Sequence, residues 1–99
     1  MYLSPGLVSQ WLEVLGIPAT EDNVEEHWEA LIDRAAEIRG ELQIEYTQSW
    51  EQAHPGKKLF DNWDEWMAMH ERILRQAKEL AANEMFLEPI RIKRMQEMD

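Results

Sequence analysis

Residues 21–51 read EDNVEEHWEALIDRAAEIRGELQIEYTQSWE, and how this stretch folds decides the architecture of the whole chain. Its apolar positions are Val24, Trp28, Leu31, Ala35, Ile38 and Leu42, spaced four, three, four, three, four. That is the period of a helix packed along its length against neighbours. Gly40 falls outside this stripe, where it costs about 1 kcal/mol relative to alanine without ending the helix. The spacing predicts one long helix from a Thr20 cap to about Ala53, in which Gly40 leaves room for a bend. Two helices broken at Gly40 are the fallback.

Upstream, Ser4 is placed to cap a short helix, with Pro5 at its first position and Gly16 just past its end. Leu7, Val8, Trp11, Leu12 and Leu15 form its single apolar stripe. Downstream, His54, Pro55 and Gly56 make a turn, and Asp61 is placed to cap a third helix. The stripe of that helix is Trp63, Trp66, Met67, His70, Ile73, Leu74, Ala77, Leu80 and Ala81. It is expected to end near Leu87. Pro89 then sets off the tail IRIKRMQEMD, whose alternating Ile90, Arg91, Ile92 and Lys93 suit either an extended segment or a short amphipathic turn. The expected fold is all-α: a small bundle with a short N-terminal helix and two long antiparallel helices. Residues 1–88 form one domain and 89–99 a C-terminal tail.

With 99 residues and 44% hydrophobic content the chain supports one core and not two. Having no cysteine, it lacks disulfides and thiolate metal sites. No apolar run reaches the roughly 18 to 20 residues of a membrane span, and the start MYLSPGLV lacks a signal-peptide pattern. A cytoplasmic location is the default expectation. The net charge of −10 disfavours anionic membranes and direct nucleic-acid binding.

Catalytic constellations are missing from the sequence. His27, His54 and His70 belong to three different segments without a metal-ligand spacing, and PGKK at 55–58 lacks the glycine-rich loop of a phosphate site. No nucleophile has a base nearby. The expectation is a non-enzyme without metal or cofactor. The eight residues IDRAAEIR at 32–39 are similar to arginine-bearing repeats of small helical chorismate mutases. Arg34 and Arg39 alone among carboxylates would not hold that family's dianionic substrate.

The second helix holds ten carboxylates and two arginines, a net −8. Pairs at 21/25, 22/26, 25/29, 29/33, 33/37, 37/41 and 41/45 repel at i,i+4 spacing, and Arg34 with Glu37 is the compensating pair. At about 0.2 to 0.5 kcal/mol each, the seven pairs sum to about 1.5 to 3.5 kcal/mol, a sizeable part of a typical 5 to 15. Helix three instead carries ordinary compensating pairs, Glu71 with Arg75 and Arg75 with Glu79. Over ~46 Å the acidic run is one charge per ~6 Å, sparser than a DNA strand at ~3.4 Å, so full DNA mimicry is not expected. A lysine- and arginine-lined channel could accept the strip Glu25, Glu29, Asp33, Glu37, Glu41 and Glu45. Tyr46 and Trp50 are the candidate aromatic anchors beside it, with packing under the 54–60 loop the alternative for Trp50. Trp28, Trp63 and Trp66 are expected in the core.

In size, acidity, lack of cysteine and helical build, with the 21–51 acids and Tyr46 and Trp50 as its specific features, the chain resembles small phage-encoded inhibitors of bacterial defence nucleases, including anti-CRISPR proteins. The resemblance implies an antiviral-defence-evasion protein, acting in the host cytoplasm if phage-encoded, that occupies a basic surface of a nucleic-acid-binding protein or nuclease complex. The alternative is a structural helical module or homodimeric assembly subunit whose acids only confer solubility.

Overall fold

The computed structural model describes residues 2–98; Met1 and Asp99 fall outside the description. Pro5 opens α1 (Pro5–Val14) behind an extended Ser4, whose Oγ accepts the Leu7 N–H at 3.2 Å. The helix closes at Gly16, which takes φ +77, a left-handed conformation that favours glycine. From there Gly16 N–H donates to the Glu13 carbonyl and Ile17 N–H to that of Leu12, which satisfies carbonyls the helix end would otherwise orphan.

Thr20 starts α2 (Glu21–Ala53), its Oγ1 accepting the Asn23 N–H at 3.2 Å, and Glu21 and Asp22 occupy the first turn where the helix dipole favours them. All 33 residues form one helix. Gly40 does not break it: its cost of about 1 kcal/mol relative to alanine is outweighed by the buried Leu31, Ala35 and Ile38 of the same helix, and a Cβ added there would meet nothing within 4 Å. A 3-10 turn (Leu59–Asp61) then leads into α3 (Trp63–Ala82). The cap position belongs to Asn62, not to Asp61 as the sequence suggested, since the turn itself takes up Asp61.

The third helix does not stop at Leu87. It passes through a π turn (Asn83–Leu87) directly into α4 (Glu88–Glu97). Glu88 N–H donates to the carbonyl of Asn83, five residues back. A proline ring normally clashes with the carbonyl four residues before it, and the wider turn relieves that clash at Pro89. Hence residues 88–97 are helical, with Ile90 buried, where the sequence had left open an extended segment or a short amphipathic turn. Lys93 donates to the Val14 carbonyl at 2.7 Å, placing a cation on the C-terminal end of α1.

Arg34 meets Glu84 at one end of the α2 and α3 pair, while Tyr46 and Met69 share a groove nearer the turn, so the two helices run antiparallel. The fold is all-α over the described residues, a short helix plus two long antiparallel ones, with no strand. Its main core joins Val8, Trp11 and Leu12 of α1, Leu31, Ala35 and Ile38 of α2, and Ala77, Ala81, Ala82, Phe86 and Ile90. Trp11 stacks on Phe86 at 5.0 Å between centroids. Trp28 packs partly buried against this core, as expected. Leu59 and Ile73 are buried outside it, nearer the turn.

The molecule measures 55 × 32 × 17 Å with a radius of gyration of 17.5 Å. A compact domain of this length would have about 13 Å. One end of the hairpin is three helices thick, and the other is a two-helix arm.

Two stability measurements follow. Gly40→Ala should raise unfolding free energy by about 0.5 to 1 kcal/mol in denaturant titration, since it removes backbone entropy from the unfolded chain and adds no clash. Phe86→Ala should cost about 3 to 5 kcal/mol, because Trp11 loses its stacked partner and a buried cavity opens.

Candidate functional site

Successive helical residues turn by about 100°, so side chains four apart advance by about 40°. Glu29, Asp33, Glu37, Glu41 and Glu45 are all exposed, and by this geometry they wind about 160° around α2 from first to last. Glu29 and Glu45 therefore face nearly opposite directions. Asp33, Glu37 and Glu41 span about 80° and share one outward sector, which is the part of the strip a single surface can meet at once.

Among the described residues Glu37 is the one member of the strip in an ion pair, 3.0 Å from Arg34 Nη1. Arg34 also donates from Nε to Glu84 Oε2 at 2.9 Å, crossing from α2 to the π turn. Hydrogen bonding to Glu84, and secondly to Glu37, raises the guanidinium pKa above its ordinary value. No lysine or arginine nitrogen of the described residues lies within 4.0 Å of the carboxylates of Glu25, Glu29, Asp33, Glu41 or Glu45.

The same sector holds an apolar residue that stripe reading passes over. Ile44 is 62% exposed and lies three residues after Glu41 and seven after Glu37, so the acids flank it. One turn earlier comes Gly40, open and without a side chain. The signal was present in the sequence as an isoleucine out of phase with the buried stripe.

Tyr46 and Trp50 do not join this sector, because Tyr46 is turned about 100° and Trp50 about 140° from Glu45. Both are half-buried and line a groove of about 290 Å³ between α2 and α3, together with His54, Leu59 and Met69. Trp50 stacks on His54 at 4.1 Å, and the His54 Nδ1–H donates to the Trp50 carbonyl at 2.8 Å. The contact stripe of α2 causes this placement. Beyond Ile38 it changes from alternating fours and threes to steps of four, through Leu42, Tyr46, Trp50 and His54, and so rotates around the helix.

Trp63 departs from its expected core position. It is 61% exposed, and Phe60 beside it is 71% exposed. Trp63, Trp66 and His70 form a stacked ladder along α3, with centroid separations of 5.4 and 5.1 Å. Leu80 is likewise exposed although it lies on the predicted stripe. His27 donates from Nδ1 to the Asn23 carbonyl at 2.7 Å, and its ring lies 6.3 Å from that of Phe86. Among the described residues no three His, Asp or Glu side chains gather into a metal-sized cluster, and no helix is long and apolar enough to cross a membrane.

No protein family matches the chain, and no curated protein and no solved structure shows significant similarity to it.

Substituting Glu41 by glutamine removes the 37/41 and 41/45 repulsions without touching the Arg34 pairs. The variant should be more stable by about 0.4 to 1 kcal/mol at low ionic strength, and thermal unfolding should show the gain shrinking as salt is added.

Proposed function

We propose that the protein is a non-enzymatic inhibitor that acts by binding another protein, its α2 acids occupying a basic surface of a nucleic-acid-handling protein. The observation that carries this reading is the outward sector of Asp33, Glu37 and Glu41 around the exposed Ile44, on a helix that runs unbroken through Gly40. Charges steer encounter and set register, whereas affinity comes from a desolvated anchor at their centre. Ile44 supplies that anchor where the sequence had pointed to Tyr46 and Trp50. The groove of Tyr46 and Trp50 offers a second contact to a partner broad enough to wrap the arm.

The winding of the strip favours a concave partner. A flat surface can meet only three or so of the acids, whereas a channel of the width that accepts a nucleic-acid strand can follow them around the helix. The proposed action is therefore occlusion of a nucleic-acid path, as in the anti-defence proteins of phages that the chain resembles. An acidic helical face against a basic nuclease would serve a toxin-neutralising immunity protein equally well.

The test is affinity capture from a bacterial lysate at low and high salt, with retained proteins identified by mass spectrometry. A basic nucleic-acid-binding protein should be retained and then released by salt. Glutamine at Asp33, Glu37 and Glu41 should weaken its binding by about 0.2 to 1 kcal/mol per charge. Ile44→Ala should raise the dissociation constant at least about tenfold without loss of helix content. Retention indifferent to salt and to all four substitutions would remove the basis for the proposal.

A further inference from the structure

The turn end of the hairpin carries a concavity of about 370 Å³ that shares only Leu59 with the Tyr46 groove. One wall is α2, which presents Gln43, Thr47 and Glu51 at successive i,i+4 positions. Phe60, Asp61 and Trp66 make the other. The rings of Phe60 and Trp66 stand at 79° to each other with centroids 6.3 Å apart, so they form a corner. Stacking on Trp63 and His70 holds Trp66 in place, and the corner therefore exists before anything enters it.

Residues 51–66 hold four carboxylates, Glu51, Asp61, Asp64 and Glu65, against Lys57 and Lys58, a net −2 with histidine neutral. Two of the four, Glu51 and Asp61, line the concavity. Lys58 borders it as well, its Nζ 3.7 Å from Glu51 Oε1 and its side chain 74% exposed. A strong charge-assisted hydrogen bond is about 2.7 to 2.9 Å long, so this pair is loose and easily displaced. The side chains of Asp61, Gln43 and Thr47 have no ion-pair or hydrogen-bond partner among the described residues.

We infer that this pocket takes the guanidinium of an arginine side chain from a partner protein. An apolar side chain would desolvate Glu51 and Asp61 without compensation, and an anion would meet them with like charge. A cation is drawn both to the carboxylates and to the ring faces. Guanidinium is planar and weakly hydrated, so it can stack on a ring while its five N–H groups donate in its own plane, whereas an ammonium is a compact, strongly hydrated point charge. Glu51, Gln43 and Thr47 on one wall and Asp61 on the other supply the oxygen acceptors for those donors. Ile44, Thr47 and Glu51 lie at i, i+3 and i+7 on one line of α2, so Glu51 is only about 10 Å beyond the exposed Ile44. In assigning the arginine to the partner that covers Ile44 the inference rests on the inhibitor reading, but the pocket's preference for guanidinium does not.

Titration of the isotope-labelled full chain with N-acetyl-arginine amide, followed by NMR, tests the pocket. The Trp66 indole N–H and the Thr47 and Glu51 amides should shift saturably, with a dissociation constant in the millimolar range. The capped citrulline amide, of the same shape without the charge, should bind about tenfold more weakly or worse. Glu51→Gln, Asp61→Asn and Phe60→Ala should each raise the dissociation constant by about threefold or more, and the spectra themselves report whether each variant is folded. Lys58→Gln should lower it, because a competing cation is removed, whereas the same change would weaken an anion site. Free arginine should bind more weakly than the capped form, since the pocket acids repel its carboxylate. Citrulline binding as well as arginine, weaker binding after Lys58→Gln, tighter binding of free arginine, or shifts spread equally over Glu29, Asp33 and Glu41 would each overturn the inference. Glu51→Gln should also weaken capture of the basic partner, and capture indifferent to it would overturn the assignment to that partner. Failure of the inhibitor reading is distinguishable, because glutamine at Glu37 and Glu41 should weaken capture and leave the arginine shifts unchanged.

Discussion

The packing of α1 across one end of the α2 and α3 pair is the contact on which the rest of the structure depends. Trp11 stacks on Phe86, Val8 and Leu12 are fully buried, and Lys93 fastens the end of α1 to α4. Two antiparallel helices alone have a seam and no enclosed interior, so a third element is needed to make a core. At ten residues α1 is too short to cover helices of 33 and 20. The main core is confined to its reach, and the arm beyond it retains only Leu59 and Ile73 as fully buried large side chains.

This division accounts for the distribution of charge and apolar surface. The repulsion among the α2 acids is tolerated because the helix is held by Leu31, Ala35 and Ile38 on its inner side, where burial contributes about 1.5 to 3 kcal/mol for each large side chain. Acids on the outer side then set how the protein meets cations without deciding whether it folds. On the arm's other side, Trp66, His70 and Leu74 follow one another at helical spacing along α3 and are half-buried. One helix hairpin thus presents an acidic back on α2 and a less charged side along Ile32, Ala36 and Leu74.

Most of the architecture was legible in the sequence. The Ser4 and Thr20 caps, the left-handed Gly16 and the two long stripes specify their elements through local chemistry, and each forms as those signals imply. Two features were not legible, for physical reasons. Pro89 reads as a helix boundary because the clash it creates is local, whereas its remedy, a π turn at Asn83–Leu87, leaves no distinct residue pattern. Trp63 reads as core because a stripe records which side of a helix is apolar and not how far along that side a neighbour extends. The candidate site divides in the same way. The acids are countable from sequence and their winding follows from helix geometry. The separation of Tyr46 and Trp50 from them depends on the stripe turning beyond Ile38, which tertiary packing decides, and Ile44 stands out only once the surface is known.

Amide hydrogen exchange distinguishes a helix pair cored only at the α1 end from one packed evenly along its length. In dilute solution, residues 31–38 and 77–86 should exchange slowest, with protection falling along both helices toward residues 53 and 63. A bound partner should raise protection in the arm far more than at the α1 end. Protection that is uniform from residue 24 to residue 53, and unchanged by a partner, would mean that the arm is complete as a single chain and would contradict the account.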